Sequence, residues 1–384
     1  MKITGIICEY NPLHLGHKKQ LDTLRALQPA SGIVCMMSGN YVQRGKPAIV
    51  DKALRAKAAI LSGADLVLEL PVTAALSSAE GFAAAGVRLL SGLCDSLCFG
   101  SETADTAMLM QTAQALLSHH FPPALSDELA KGLSFPAARQ AALEAIGVRG
   151  DMLRNPNDIL AIEYCKAILS QNSSMIPLPI LRQGNYHDLQ ADRKNPSATA
   201  VRSLMLQSGA WLDYIPAEAQ PCFENAALHT LAAGERAVLA RLRTMSDEEF
   251  EALPYGSEGL WRKLMHAARK EATLEDILTA VKSKRYTRTR LDRMVLCAFL
   301  GLTGADLSAP APYARVLALN DRGREILKQA RKIGLFPNTG EPLNHPYQAI
   351  ENQVEALYGL FCTNSPSAPG SRHRVSYQPL CKSE

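Results

Sequence analysis

Short apolar runs alternate with amphipathic stretches through the first hundred residues of the chain. Runs of the buried-strand type lie at residues 3–8, 32–37, 66–70 and 96–99. Helix-like stretches of about a dozen residues follow the first three strands at residues 16–27, 51–62 and 79–90. Strands that alternate with such helices predict a parallel sheet with right-handed crossovers, which is an α/β, Rossmann-like fold.

The rest of the chain carries fewer strand signals. Residues 103–170 are predicted to be mostly helical, 175–180 form a further strand, and Ser197 or Thr199 caps the next helix. From about residue 210 to residue 360 the strand signals fade and helical signals persist. The sequence therefore predicts three parts: a Rossmann-like domain at 1–210, a mainly α-helical domain at 211–362 and a flexible tail at 363–384.

Composition adds little beyond a broad class. The 384 residues are 47% hydrophobic and 20% charged, with a net charge of +4, so any footprint for nucleic acid must be local. The nine cysteines are scattered without a CxxC pair, which argues against a disulfide framework and a zinc knuckle. With no signal peptide or membrane-spanning run in view, we expect a reduced, cytoplasmic protein that binds no membrane and no protein-held metal.

The loop after the first strand holds His14-Leu15-Gly16-His17 directly before a helix. Gly16 lets the backbone approach a ligand closely, and the helix start offers free N–H groups to a phosphate. Two histidines three positions apart can donate hydrogen bonds that stabilise charge as pyrophosphate leaves. We predict that His14 and His17 are catalytic residues of nucleotidyl transfer. A chance tetrapeptide with a structural histidine is the alternative.

A second phosphate-binding element is predicted at a later helix start. Ser197 and Thr199 offer hydroxyl and N–H donors, and Arg202 lies one turn further on with a delocalised positive charge. A simple capped surface helix would look the same. Together with the histidine corner, these residues predict an ATP site. Neither GxxxxGK[ST] nor GxGxxG is present, which excludes a P-loop and a dinucleotide fingerprint.

Longer motifs resemble one particular family over roughly residues 1–360. They lie at residues 7–17, 37–48, 65–71, 99–102, 156–160 and 313–317. In these stretches the chain resembles the bacterial tRNA(Met) cytidine acetate ligases, a family with an HxGH nucleotidyltransferase domain. The resemblance implies an ATP-dependent ligase that activates acetate as acetyl-adenylate and releases pyrophosphate. The acetyl group would then pass to the wobble cytidine of elongator tRNA(Met), giving N4-acetylcytidine.

The resemblance also implies which residues bind ATP, with Mg²⁺ brought in by the triphosphate. These residues are Ile7, Cys8, Glu9, Tyr10, Asn11, Pro12, Leu13, His14, Leu15, Gly16, His17, Lys18, Lys19, Gln20, Gly100, Asn157 and Arg182. Two positions depart from the family pattern: Asp158 stands where the family usually has asparagine, and Cys8 where it usually has valine. An anion at Asp158 is unfavourable near a nucleotide unless it faces away or meets a cation.

Two polar regions have more open interpretations. Arg44, in the loop after the second strand, is a candidate for neutralising acetate or holding tRNA, and a polar surface loop is an equal alternative. On the next helix, Lys52, Arg55 and Lys57 are expected on the solvated face.

A basic run near residue 290 is the predicted RNA contact. Residues 282–293 hold six basic residues against one acid, so they can neutralise phosphates. Tyr286 could stack on a base. The predicted tRNA-binding residues are Lys282, Lys284, Arg285, Tyr286, Arg288 and Arg290. A solvated helix end is the alternative interpretation.

Two other functions compete with the ligase. A nucleotidyltransferase acting on a small phosphorylated metabolite would share the histidine corner but would not need the helical domain or the basic run. An RNA-binding protein with a vestigial nucleotide site is the third possibility. A vestigial site has no reason to keep all of its candidate residues, which argues against this possibility; those present are His14, Gly16, His17, Ser197, Thr199 and Arg202.

Overall fold

The computed structural model describes residues 1–182, 196–207, 209–283, 286–310, 312–334, 345–364 and 376–378. The strands within these ranges are β1 (Ile3–Cys8), β2 (Gly32–Ser38), β3 (Tyr41–Val42), β4 (Lys46–Pro47), β5 (Leu66–Leu70), β6 (Ser96–Ser101), β7 (Ile176–Leu181), β8 (Arg315–Leu319) and β9 (Ser376–Tyr377). Seven of them form one sheet in the order β7-β6-β1-β2-β5-β8-β9, and β3 and β4 form a separate hairpin.

Helices connect these strands and make up most of the later part of the chain. They are α1 (Leu15–Leu27), α2 (Lys52–Leu61), α3 (Val72–Ala75), α4 (Ala79–Leu90), α5 (Thr106–Leu117), α6 (Phe121–Ala130), α7 (Phe135–Ala145), α8 (Pro156–Ser170), α9 (Ala198–Leu206), α10 (Glu235–Thr244), α11 (Asp247–Glu251), α12 (Leu260–Lys270), α13 (Leu274–Val281), α14 (Arg288–Leu300), α15 (Gly304–Ser308), α16 (Asp321–Ala330) and α17 (Tyr347–Tyr358). None of the described helices is long and apolar enough to cross a membrane.

The predicted α/β fold is confirmed. The strands β7, β6, β1, β2 and β5 pair in parallel, so their carboxyl ends meet at one edge of the sheet. The three polar loops that follow β1, β2 and β6 share that edge, which is where parallel α/β sheets bind their ligands.

Apolar side chains cover both faces of this sheet because alternate residues of a strand point to opposite sides. On β2, Ile33, Cys35 and Met37 join one core with residues of α1, α2 and α9. Val34 and Met36 join the opposite core with residues of α4, α5 and α8. A third core holds the later helices α10 to α14 together with α17. Both faces of β2 are fully buried, as its continuous apolar run predicts.

The segment predicted to be mainly helical also contains a strand that the sequence analysis did not predict. β8 pairs antiparallel with β5, and the following α16 packs against the sheet. The sequence pattern missed β8 because five residues beside charged, helix-forming neighbours carry little periodic signal. Residues 376 and 377, inside the segment predicted to be a flexible tail, form β9 beside β8. Other residues of that tail, at 365–375 and 379–384, lie outside the described residues.

The later helices meet the sheet edge at the β3–β4 hairpin. Gly45 in this hairpin has a φ of 72°, and a Cβ there would lie 2.3 Å from the backbone nitrogen of Arg293 in α14. Glycine is required on both counts, since other residues strain at this φ and would collide with the α14 backbone. The hairpin is therefore held directly against α14.

The solvated face expected for α2 is wrong for two of its three basic residues. Arg55 is fully buried and Lys52 is 9% exposed, whereas Lys57 is half-buried. Arg55 donates to the carbonyl oxygens of Glu9, Ser38, Gly39 and Val50, which joins the loops after β1 and β2. A guanidinium can be buried there because backbone acceptors satisfy its donors.

Candidate active site

The first feature of the site is a pair of histidines at the start of α1. His14 is the N-cap residue, and its Nδ1 accepts a hydrogen bond from the Gly16 backbone N–H at 3.1 Å. The Nδ1 of His17 accepts from the His14 backbone N–H at 3.2 Å. The two rings stack with centroids 3.8 Å apart. A Cβ at Gly16 would lie 3.0 Å from the His14 ring, so glycine leaves room for this stack.

Both histidines are neutral hydrogen-bond donors. Burial, followed by the nearby charge of Arg182, lowers the pKa of His17 to about 3. Burial also lowers the pKa of His14 well below its usual value, with further contributions from His17, Arg182 and Arg202. A neutral imidazole that accepts at Nδ1 carries its hydrogen on Nε2. The Nε2 of His14 is buried without a hydrogen-bond partner among the described residues, so it is available to donate to a bound anion.

This neutral state predicts how stability depends on pH. An unfolded histidine has a pKa near 6.5, so between pH 6.5 and about 3 the unfolded chain binds a proton that folded His17 does not. Stability should therefore be full above pH 6.5 and fall on acidification, by about 1.4 kcal/mol per pH unit for one histidine. Urea unfolding of wild type and His17→Gln at several pH values measures this slope. Equal slopes for both proteins would contradict the neutral state of His17.

The second predicted phosphate element lies against the histidine corner. Ser197 caps α9 by accepting from the Ala200 N–H, as predicted. Arg202 donates to the Asn11 carbonyl oxygen at 2.7 Å and to the Thr199 hydroxyl at 3.1 Å. Arg202 therefore bridges the start of α9 and the loop after β1, although 191 positions separate it from Asn11. Its charge also acts on His14, which places both predicted elements in one electrostatic environment.

Three further predicted residues line the neighbouring end of β6 and β7. The Oδ1 of Asn157 accepts from Arg182 at 2.9 Å, and its Nδ2 donates to Glu102 at 2.6 Å. A Cβ at Gly100 would make only ordinary contacts with Arg182, at 3.8 Å. Gly100 is therefore not required by packing, and the absence of a side chain leaves room at the sheet edge. Glu102 positions Asn157, and through it Arg182, whose charge reaches both histidines.

Asp158 is buried and makes its own set of hydrogen bonds. Its carboxylate accepts from the hydroxyls of Ser101 and Thr103, the Thr103 N–H and the Asn155 amide. Burial works to raise the pKa of Asp158, but these hydrogen bonds outweigh it and leave the pKa lowered. The Asp158 carboxylate, which stands where the family usually has asparagine, is thus stabilised by hydrogen-bond donors of its own surroundings. Its negative charge is therefore no longer an argument against ATP binding beside this loop.

We expect Asp158→Asn to change the KM for ATP by no more than about threefold, because the carboxylate interacts with its own loop. Asn157→Ala, the matched variant, should raise that KM by about tenfold, since it removes an acceptor of the Arg182 guanidinium. Steady-state kinetics with varied ATP measure both. A large rise in KM for Asp158→Asn alone would place its carboxylate at the nucleotide.

Several other residues predicted to bind ATP have their side chains elsewhere. Tyr10 and Leu13 are buried in the core, and Ile7 packs over Gly86. Lys18 pairs with Asp22 and approaches Glu218, Gln20 lies beside Cys98, and Glu9 accepts from the Gln43 N–H. The remaining members of the predicted set are Cys8 and Leu15, which are partly buried, Pro12, which is buried, and Lys19, which is exposed. Most of these residues shape the loop or its backbone, and the polar side chains described above are the candidates for contact with phosphate.

The predicted tRNA contact at 282–290 has a different structure from the one expected. Tyr286 is 5% exposed, with its hydroxyl donating to Glu258, so stacking of its ring on a base does not fit this burial. Arg288 pairs with Glu275 and Asp292, and Arg290 donates to the Tyr255 carbonyl oxygen. Lys282 is exposed. Lys284 and Arg285 lie outside the described residues.

Sequence reasoning missed a buried ionic cluster at the same sheet edge. Lys52 Nζ lies 2.9 Å from Glu69 of β5 and 2.6 Å from Glu355 of α17. Burial alone would lower the pKa of Lys52, but the two carboxylates raise it above its usual value. Asn40 donates to Glu355 and accepts from the Lys52 N–H. Glu69 lies in the stretch 65–71 that resembles the family. No pattern in the sequence indicates that it shares a cation with a residue near the C-terminus.

Comparison with known proteins first identifies the class of enzyme. A family model described as HIGH Nucleotidyl Transferase matches residues 1–364. This match agrees with the parallel sheet and with the two histidines at the start of α1, which together define a nucleotidyl-transfer enzyme.

Closer relatives then define the family. The tRNA(Met) cytidine acetate ligase of Clostridium novyi is 38% identical, over 98% of this chain and 99% of its own. The crystal structure of apo Thermotoga maritima TmcAL is similar with a TM-score of 0.89 and 29% identity, covering 99% of this chain and 100% of that one. A second structure of that protein, bound with alpha-thio ATP, has a TM-score of 0.86 and 28% identity. This match covers 98% of this chain and 100% of that one. The chain belongs to the tRNA(Met) cytidine acetate ligase family.

Proposed function

We propose that this protein is an ATP-dependent ligase that activates acetate as acetyl-adenylate and acetylates the wobble cytidine of elongator tRNA(Met). The observation that carries the proposal is the pair of neutral histidines at the start of α1. The charge of Arg182 acts on both rings and that of Arg202 on His14, whose Nε2 is buried without a hydrogen-bond partner among the described residues. The similarity to relatives with this name supports acetate and tRNA as the substrates, and the relative bound with alpha-thio ATP supports ATP.

In the first step, a carboxylate oxygen of acetate attacks the α-phosphorus of ATP, and the bond to the β-phosphate bridging oxygen breaks. Pyrophosphate leaves with the bonding electrons. His14 and His17 donate hydrogen bonds from Nε2 to the phosphate oxygens on which charge builds, and neither gives up its proton. Arg182 and Arg202 offset the remaining negative charge. Mg²⁺ bound to the triphosphate would neutralise a further part of its charge.

In the second step, the exocyclic amine of the wobble cytidine attacks the acetyl carbonyl carbon. The bond to AMP breaks, AMP leaves with the electron pair, and the amine loses a proton. We assign adenylation to residues 1–210, with β8 and α16 completing the sheet, and RNA binding to the helices within 211–362. We further propose a cytoplasmic location for the reaction, which the tRNA substrate supports.

An exchange experiment tests the first step alone. Labelled pyrophosphate should enter ATP when acetate is present and tRNA is absent, because adenylate formation is reversible. Exchange that depends on a phosphorylated metabolite and not on acetate would favour the alternative nucleotidyltransferase. Absence of any ATP-dependent exchange with either substrate would contradict an adenylation site.

A further inference from the structure

The helix α12 presents an entirely basic face to solvent. Its exposed residues are Arg262, Lys263, His266, Arg269 and Lys270. Its opposite face is buried in the core of the helical region by Leu260, Leu264, Met265, Ala267 and Ala268. Because no acid occupies an exposed position of α12, the net charge of +4 for the whole chain conceals a strongly positive local surface.

Most of this charge is available to an incoming anion. Among the described residues, Lys263 and His266 have no acidic partner within ion-pair distance. Arg262 lies over the Trp261 ring, 4.9 Å from its centroid. Arg269 pairs with Asp247, and Lys270 lies 4.0 Å from Glu271; Arg269, Asp247 and Lys270 all have well-exposed side chains. Exposed ion pairs of this kind contribute little to stability, so a phosphate can replace the carboxylate at a small cost in free energy.

The basic surface continues beyond the C-terminal end of the helix, and the N-terminal end contacts the basic run at 282–293. At the C-terminal end, Arg243 of α10 donates to the carbonyl oxygens of Glu271 and Ala272 and adds a further exposed cation. At the N-terminal end, the segment before α12 binds the basic run, because Arg290 donates to the Ser257 hydroxyl. Ser257 thus links the start of α12 to α14, but the next residue is the exposed acid Glu258, so the continuous basic surface consists of α12 and Arg243.

We infer that the exposed face of α12 binds the phosphate backbone of tRNA and is a principal RNA contact of this protein. The inference rests on the proposed function for the identity of the RNA. From Arg262 to Lys270 the helix rises about 12 Å, so one helix can reach several phosphates. Arg262 on Trp261 presents a flat guanidinium that suits phosphate or an unstacked base.

The burial of the apolar face distinguishes RNA from a membrane as the partner. A basic amphipathic helix binds a lipid surface by inserting its apolar side among the acyl chains. In α12 that side is already packed within the protein, with Leu260 and Leu264 fully buried. Only the charged face is available, and it suits a hydrated polyanion such as RNA.

The experiment compares tRNA binding by wild type and the double variant Arg262→Gln/Lys263→Gln at several salt concentrations. We expect the affinity for an elongator tRNA(Met) transcript to fall about tenfold at 100 mM salt. The slope of log affinity against log salt should shrink by roughly 1.5, because two phosphate contacts are lost. Lys131→Gln/Arg149→Gln is the matched control, since these residues are 63% and 71% exposed elsewhere on the surface. It should change neither quantity.

Acetate-dependent pyrophosphate exchange without tRNA separates this inference from the proposed function. Exchange should be equal in wild type and both variants, since none of the four residues lies at the ATP site. Unchanged tRNA affinity and salt slope in Arg262→Gln/Lys263→Gln would overturn the inference even if exchange is normal. If the variant Arg262→Gln/Lys263→Gln loses tRNA affinity but wild type shows no acetate-dependent exchange, the inference about α12 is upheld. The proposed reaction is then contradicted. Wild-type binding to phosphatidylserine vesicles but not to tRNA would also overturn it.

Discussion

Replacing His14 with asparagine should slow acetate-dependent pyrophosphate exchange by about 10²–10³-fold while the fold stays intact. Asparagine is among the best N-cap residues, so its side chain can take over the bond that His14 Nδ1 accepts from Gly16. It does not place a donor at the position of Nε2. The loss therefore measures the hydrogen bond to phosphate separately from the cap. Exchange kinetics and a thermal melt provide the two readings.

His17→Gln is the companion variant for the other histidine. Glutamine is favoured three residues after the N-cap, where it can accept the His14 N–H bond that His17 Nδ1 accepts. We expect a similar loss of exchange, with tRNA affinity unchanged in this variant and in the simpler His17→Ala. Near-normal exchange with normal stability would contradict a role in catalysis. Loss of tRNA binding together with exchange would show that His17 is structural.

Replacing Lys52 with methionine should reduce the free energy of unfolding by about 3–5 kcal/mol. The substitution leaves Glu69 and Glu355 partly buried side by side without their cation, and Glu355 ties α17 to the sheet edge. Burial already raises the pKa of Glu355, and its proximity to Glu69 raises it further. Urea unfolding measures the change.

Two further variants test whether the charge is the cause. Adding Glu69→Gln and Glu355→Gln to Lys52→Met should restore much of the lost stability, because no unpaired anion remains. Lys328→Met is the surface control, since Lys328 and its partner Glu325 are 68% and 61% exposed and should contribute less than about 1 kcal/mol. Equal losses for Lys328→Met and Lys52→Met would contradict the buried cluster.

The elements around the ATP site could be predicted because their signals are local. The run at 32–37 is apolar at every position since both of its faces are buried, and the structure extends it by one residue to Ser38. The corner at His14 stands out because a glycine and two histidines occur where a strand passes into a helix. Parallel pairing then brings loops from distant positions to one edge, which follows from topology alone.

Interactions between distant residues could not be predicted in this way. Helical periodicity treats Lys52 and Arg55 as surface residues because it assumes that charged side chains meet water. In the structure, Glu355 lies 303 positions from Lys52 and supplies part of the charge that keeps Lys52 buried. Similarly, Tyr286 is spaced like an RNA-stacking residue, but Glu258 and the surrounding core hold it inside the protein.

The basic face of α12 is the opposite case, a positively charged surface that the sequence pattern did not predict. Its cations are separated along the sequence by apolar residues such as Leu264 and Ala267, so no charge run is visible. The denser run of basic residues at 282–293 is more conspicuous, yet Arg288 and Arg290 make contacts within the protein. A positive surface is produced by helical spacing and burial, which a search for consecutive charges does not detect.

The incorporation of labelled acetate into tRNA tests the central claim most directly. Purified protein with ATP, labelled acetate and total bacterial tRNA should transfer label to one species, elongator tRNA(Met). The label should reside in N4-acetylcytidine at the wobble position, with AMP and pyrophosphate as the other products. ATP turnover with a phosphorylated metabolite, without any label in tRNA, would contradict the account.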